Sequence, residues 1–190
     1  RRRLKNTGFV FTQFHDVKDE WNGYYRYDRD PKEWGLGEIV PGMTINDFHS
    51  NMYVIPGDDF FKFVDPGASV TMPISASFTT SDVPDNMTVR TAVRAWDRFG
   101  GELEYSTGDF NFSPEPYAVL DLEPVTFRAP QEESLAVFYT YLVDDQGEIR
   151  HRNFVTFRVR PSNGESTEHG DSRDLYLRRA PDAFSKSDWS

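Results

Sequence analysis

The sequence contains no cysteine in 190 residues. Disulfide frameworks, thiolate nucleophiles and cysteine-ligated zinc are therefore excluded. The compartment is not fixed by this, because many exported proteins also lack cysteine. Long apolar runs are lacking as well: nothing approaches the ~20 residues a membrane-spanning helix needs, so no membrane partner is expected. Basic charge is in deficit, with 21 Lys and Arg against 31 Asp and Glu. Phosphate binding needs clustered cations, so nucleic acid is not an expected partner. No glycine-rich phosphate cradle and no Gly-x-Ser-x-Gly elbow occurs. His15, His49, His151 and His169 are too scattered for spacing to define a metal site, and no metal or other cofactor is expected.

Aromatics are abundant, at 15%, and 12 Pro with 13 Gly punctuate the chain with turns. That balance favours β architecture over helical bundles. About seven strand-like runs follow one another: NMYVI, FFKFV, SVTMPISASF, MTVRTAVRAWD, YAVLDLEPVTFRA, SLAVFYTYLVD and RNFVTFRVR. In MTVRTAVRAWD the alternation slips near Ala92, with Thr91 on the polar side, which predicts a bulge there. RNFVTFRVR breaks alternation once among Phe154, Phe157 and Val159. VDPGAS, SDVPDN, DRFGGE and DDQGE supply the turns, the last two each led by Asp with Gly before Glu. ELEYSTGD around Glu104 has the outline of a nucleophile motif, but it follows a hairpin turn and reads as a surface strand. The rhythm predicts an immunoglobulin-like β-sandwich over 47–161.

The two ends read as pieces of neighbouring units. RRRLKNTG has the cations and the glycine of a helix's last turn, or is a frayed basic terminus. PSNGESTEHGDSRD reads as a linker, and DLYLRRAPDAFSKSDWS as the start of a further β domain, so 162–190 is assigned to both. Near the start, GFVFTQFHD runs Phe9, Val10, Phe11 and Phe14 into Gln13, His15 and Asp16. A nearly continuous apolar run ending in polar groups is expected of a parallel strand buried on both sides. In a barrel of alternating strands and helices, the active site lies at that polar end. Residues 1–46 are accordingly expected to close a (β/α)8 barrel catalytic domain, and Thr44 to cap a short helical turn at its exit.

At these residues the sequence resembles the eighth-strand segment of family 2 glycoside hydrolases, the β-galactosidase, β-glucuronidase and β-mannosidase group. The resemblance rests on Thr12-Gln13, Asp16-Val17, Glu20, Asn22-Gly23 and Asp28-Arg29-Asp30-Pro31-Lys32, over about thirty residues. His15 and Trp21 depart from the pattern, standing where smaller and aliphatic residues are more usual. The resemblance implies a retaining, exo-acting β-glycosidase that removes terminal β-linked sugars, with two glutamates about 5–5.5 Å apart. Both would precede residue 1, so no catalytic residue is assigned here and the segment alone is expected to be inactive. The remainder of the polypeptide and a carbohydrate substrate are the implied partners, in a periplasmic or extracellular setting rather than the cytoplasm.

The expected substrate-binding residues are Gln13, His15, Asp16 and Trp21. Each has a plainer alternative. Gln13 either holds a sugar hydroxyl or satisfies a hydrogen bond at the barrel end. Asp16 either reaches sugar or caps loop amides, and His15 either lines the pocket or sits on its rim. Glu20 and Asn22 are read as loop stabilisers. Trp21, with Tyr24, Tyr25 and Trp34, either stacks on sugar faces or packs between barrel and sandwich. The rival function is a non-catalytic carbohydrate-binding or adhesion sandwich, in which residues 1–40 fold as part of the sandwich; a structural spacer is a third.

Overall fold

The computed structural model describes residues 13–32, 34–58 and 61–161. The expected strand at Phe9–Phe14 lies outside them except for Gln13 and Phe14, as do the linker and further domain expected over 162–190.

The described chain is mainly β. A one-turn helix α1 (Leu36–Ile39) and a 3-10 helix (Ile45–His49) precede eight strands. These are β1 (Met52–Pro56), β2 (Phe61–Val64), β3 (Ser69–Phe78), β4 (Met87–Asp97), β5 (Glu102–Phe112), β6 (Val119–Arg128), β7 (Ser134–Asp144) and β8 (Ile149–Val159). They form a three-stranded sheet in the order β1-β3-β6 and a five-stranded sheet in the order β2-β8-β7-β4-β5. All the pairings are antiparallel except that of β2 with β8. The arrangement is consistent with a β-sandwich.

The core lies between the two sheets. Val70, Met72, Ile74, Ala76 and Phe78 of β3 alternate inward to meet Val89, Val93, Phe138, Leu142, Phe157 and Val159 of the larger sheet. Phe127 of β6 stacks flat on Phe138 of β7, with centroids 5.2 Å apart and planes 7° apart, and tilts against Phe157 at 5.9 Å. Strand β7 is buried on both faces. Its Ala136, Phe138 and Leu142 enter this core, whereas Val137 and Tyr139 enter a second cluster on the outer face of the larger sheet. Val40 and Met43 complete that second cluster, with Leu36, Ile39, Phe48, Trp96 and Phe154 packed around it. Residues 36–49 thus lie across the outside of the five-stranded sheet.

The local turn chemistry matches the residues that carry it. Asp97 Oδ1 accepts the amides of Phe99 and Gly101 at 2.7 and 2.8 Å, closing the β4–β5 hairpin with Gly100 at φ 98°. Asp144 Oδ1 accepts those of Gln146 and Glu148 at 3.0 and 2.8 Å in the β7–β8 hairpin, with Gly147 at φ 85°. Thr44 caps the 3-10 helix by accepting from Asn46 N at 3.3 Å, and Asp47 Oδ2 returns the bond by accepting from Thr44 N at 2.9 Å.

The bulge expected near Ala92 forms, with its extra residue on the partner strand rather than in β4. Met87, Val89, Thr91, Val93 and Ala95 alternate without interruption onto the buried face. The register shift between Thr91 and Ala92 arises on the partner, where Thr91 pairs with Gly108 and Ala92 with Ser106, so Thr107 is the extra residue. Thr91 is buried because this bulge satisfies it. Its Oγ1 donates to Gly108 O at 2.8 Å and accepts from Thr107 Oγ1 at 2.7 Å. In β8 the shift falls at Arg150, between the Leu142–His151 and Val143–Ile149 pairs, and not among Phe154, Phe157 and Val159.

Candidate functional site

The candidate residues lie on a loop whose described part begins at Gln13. Its backbone bonds are local: Tyr24 N donates to Gln13 O at 3.4 Å, Tyr25 N to Phe14 O at 3.1 Å and Asp16 N to Tyr25 O at 2.9 Å. Val17 and Glu20 exchange bonds at 3.1 and 3.0 Å, closing a tight turn over Lys18 and Asp19. The chain returns so closely here that a Cβ on Gly23 would lie 2.2 Å from the carbonyl carbon of His15 and 2.4 Å from Asp16 N. Both neighbours are backbone, so the position requires glycine.

Asp16 is the hub. Its carboxylate is buried, and Oδ1 accepts from Gly23 N at 2.9 Å and from Lys32 Nζ at 2.6 Å. Lys32 Nζ also donates to Trp21 O at 2.8 Å. The bond from Lys32 holds the Asp16 carboxyl below the usual carboxylate range, overcoming the opposite effect of burial, with the Gly23 amide adding to it. A carboxylate held by one amide and one ammonium is a charge-assisted clamp that joins residues 16, 21, 23 and 32.

Gln13 bridges the same loop from its edge. Its Nε2 donates to Glu20 Oε2 at 3.2 Å and to Asn22 Oδ1 at 3.1 Å. His15 is half-buried, and its Nδ1 donates to Asp16 O at 2.8 Å. Trp21 is 81% exposed and Phe14 67% exposed. Tyr24 sits edge-on to both Trp34 and His49, at 6.3 and 5.3 Å, and shares a 3.0 Å hydrogen bond with His49 Nε2. Lys32 Nζ lies 5.9 Å from the Trp34 ring centre. Asp16 and Trp21 are thus brought together through Lys32, with His15 joined to them through the Asp16 backbone, while Gln13 belongs to a separate cluster with Glu20 and Asn22. Trp21 is held by its carbonyl, and its indole is left facing solvent. Burial pushes the Tyr24 phenol up, so it stays a neutral hydrogen-bonding partner for His49.

The join between loop and sheets depends on residues with no motif around them. Asp47 is buried, and its Oδ1 accepts from Arg152 N at 2.9 Å with Arg152 Nη1 at 3.6 Å. His151 is fully buried beside it in sequence, and its Nδ1 accepts the amide of Val54 at 3.0 Å. That bond places the ring proton on Nε2. Arg94 forms ion pairs with Glu102 and, at 3.7 Å, Glu104, and its Nη1 donates to Glu38 O at 2.7 Å. Glu104 Oε1 accepts from Tyr139 OH at 2.6 Å. Burial first, then this carboxylate, drives the Tyr139 phenol well up. Glu104, on the edge strand β5, therefore braces Tyr139 and Arg94, and Arg94 in turn holds the Glu38 carbonyl of α1. Only the acidic turn residue Asp47, four before the β1 run, could have signalled the join. Among the described residues, no group of three or more His, Asp or Glu is placed to hold a metal ion.

No known family profile matches this sequence, and no curated protein is similar to it. Solved structures give partial likenesses. The sporulation control protein Spo0M of Bacillus subtilis superposes at a TM-score of 0.39 and 13% identity, over 59% of this chain and 49% of that one. The chaperone–tip adhesin complex of CFA/I fimbriae gives 0.36 and 14%, over 60% and 59%. Bacteroides uniformis β-glucuronidase 2, covalently bound to cyclophellitol-6-carboxylate aziridine, gives 0.34 and 11%, over 58% of this chain and 13% of that one. The chain thus matches about half the length of the first two and a small fraction of the third. At these scores none of the three carries an argument about function.

Proposed function

We propose that this chain is a C-terminal section of a retaining, exo-acting β-glycosidase of the family 2 type, which hydrolyses terminal β-linked sugars of oligo- or polysaccharides. In this reading residues 1–46 end a (β/α)8 barrel, 47–161 are an immunoglobulin-like sandwich, and 162–190 lead into another β domain. The catalytic glutamates are contributed by polypeptide outside the chain, which is inactive alone. One observation carries the reading. The spaced residues that give the family resemblance meet one another in the folded loop, Gln13 bonding Glu20 and Asn22, and Asp16 bonding Gly23 and Lys32.

The chemical roles follow from that geometry. Asp16 and Lys32 are spent on each other, so Asp16 acts as a positioning residue that fixes the loop. Gln13 has its amide nitrogen committed to Glu20 and Asn22, and its carbonyl oxygen is the atom that would accept from a sugar hydroxyl. Trp21 offers the exposed ring for stacking, and half-buried His15 is held by the Asp16 carbonyl. The strand order β2-β8-β7-β4-β5 over β1-β3-β6, with β2 parallel to β8, supports the immunoglobulin-like assignment.

The second reading, a non-catalytic carbohydrate-binding or adhesion module, is favoured by one observation of its own. Val40 and Met43 bury themselves on the outer face of the larger sheet, tying residues 36–49 to the sandwich. Binding of β-linked oligosaccharides by this chain alone, measured by titration calorimetry, separates the two. The glycosidase reading expects no binding by the isolated chain and hydrolysis of chromogenic β-glycosides by the full polypeptide. Binding without hydrolysis by either selects the module.

A further inference from the structure

The hairpin ribbon of β4 and β5 contains two Asn-x-Ser/Thr triplets, Asn86-Met87-Thr88 and Asn111-Phe112-Ser113. They lie far apart in the chain but face each other in the sheet, because Met87 pairs with Phe112 and Thr88 with Asn111. The middle residue of each triplet points inward: Met87 is 1% exposed and Phe112 packs on the core. Strand alternation then turns both asparagines and both hydroxyls outward. Asn86, Asn111 and Ser113 are exposed. The hydroxyls are exchanged between triplets. Thr88 Oγ1 donates to Asn111 Oδ1 at 2.7 Å, and Ser113 Oγ donates to Asn86 Oδ1 at 3.4 Å. Each asparagine is thus engaged through its oxygen, which a substituent on Nδ2 would leave in place as an acceptor.

We infer that Asn86 is an N-glycan acceptor, with Asn111 as an alternate that is not filled on the same molecule. The triplet is the acceptor pattern of asparagine-linked glycosylation. In that transfer Nδ2 attacks the anomeric carbon of a lipid-pyrophosphate-linked oligosaccharide. A C–N bond forms, the C–O bond to pyrophosphate breaks, the lipid pyrophosphate departs with the electron pair, and the amide proton passes to a base of the transferase. Asn86 is favoured because it ends the β3–β4 loop, where a transferase reaches the chain most easily. Asn111 lies within a strand and is followed, past Ser113, by Pro114, whose ring restricts the backbone before it. Directly opposed strand residues are only about 5 Å apart, so two branched oligosaccharides on adjoining pairs would occupy the same space. The inference requires passage through an exporting compartment, and it is independent of the glycosidase reading.

The test is mass spectrometry of tryptic peptides from protein purified from its native source. The expected result is an oligosaccharide on the peptide ending at Arg90, removed by a peptide N-glycosidase that leaves aspartate at position 86, with the peptide ending at Arg128 unmodified on those molecules. In a eukaryotic secretory host, Thr88→Ser should keep the modification of Asn86 and Thr88→Val should abolish it. Native peptides bearing no glycan at either asparagine would overturn the inference, as would molecules glycosylated at both.

Discussion

Between Met52 and Val159 the chain buries Phe78, Phe138 and Phe157 in one apolar layer. Between Gln13 and Lys32 the buried residues are a carboxylate, Asp16, and a glycine, Gly23. The first region is held by apolar area removed from water, which is non-directional and tolerates small shifts. The second is held by a few directed bonds to one carboxylate and by one backbone approach that admits no side chain. The loop is therefore the part of the molecule in which a single substitution can change geometry without unfolding the whole. Such regions, carried on a rigid scaffold, are where binding residues concentrate.

The largest effect should come from the sandwich. Phe138→Ala removes a fully buried ring stacked on Phe127, and should cost about 3–5 kcal/mol in chemical denaturation. Met43→Ala tests the join instead. It should cost roughly 2 kcal/mol, and should raise hydrogen exchange over residues 36–49 before the strands respond. Gly23→Ala should cost roughly 1–3 kcal/mol, confined to the loop, because the added Cβ collides with the backbone of His15 and Asp16. Its readout is increased exchange and proteolysis over residues 13–32 with the sandwich melting transition unchanged; a fall in that transition would break the contrast between the regions.

A pH titration sharpens it further. The folded Asp16 carboxyl titrates below its unfolded value of about 3.9. Its contribution is therefore fully present above that value and is lost as pH falls through the lower, folded one. Exchange protection in the loop should persist through pH 4 and fail at more acidic pH, and Asp16→Asn should lose protection at neutral pH. Asp144 is also lowered: burial raises it, but the amides of Glu148 and Gln146 and the Arg150 side chain outweigh burial. The β7–β8 hairpin should accordingly loosen in the same acidic range. The smallest effect belongs to Trp21→Ala, whose exposed ring should change stability by no more than about 0.5 kcal/mol.

The sandwich strands are legible because alternation and turn chemistry are local. The Asp-led turns at Asp97 and Asp144 and the Thr44 cap are visible as short patterns, and each forms. Strand β7 reads as a run but not as a strand buried on both faces, because its outer cover, Val40 and Met43, comes from almost a hundred residues away. Thr91 reads as surface because nothing near it in sequence reveals the Thr107 bulge that satisfies it. His151 is invisible for the same reason, since its partner Val54 is set by topology, and Asp47 shows as an acidic turn residue but not as the partner of Arg152. In the loop, the spacing from Gln13 to Lys32 marks a motif, but not which members bind one another. Asp16 and Gln13 carry equally plausible sugar-binding chemistry until their partners are seen.

The proposed function requires that Gln13 and Trp21, on the loop held by the clamp around Asp16, face a β-linked sugar in the full polypeptide. Its most direct test is steady-state kinetics of the full polypeptide on chromogenic β-glycosides, comparing wild type with Gln13→Ala and Trp21→Ala. A tenfold or greater fall in kcat/KM in both variants, about 1.4 kcal/mol of transition-state binding each, is the expected result. Unchanged kinetics in both, with the loop still folded, would contradict it.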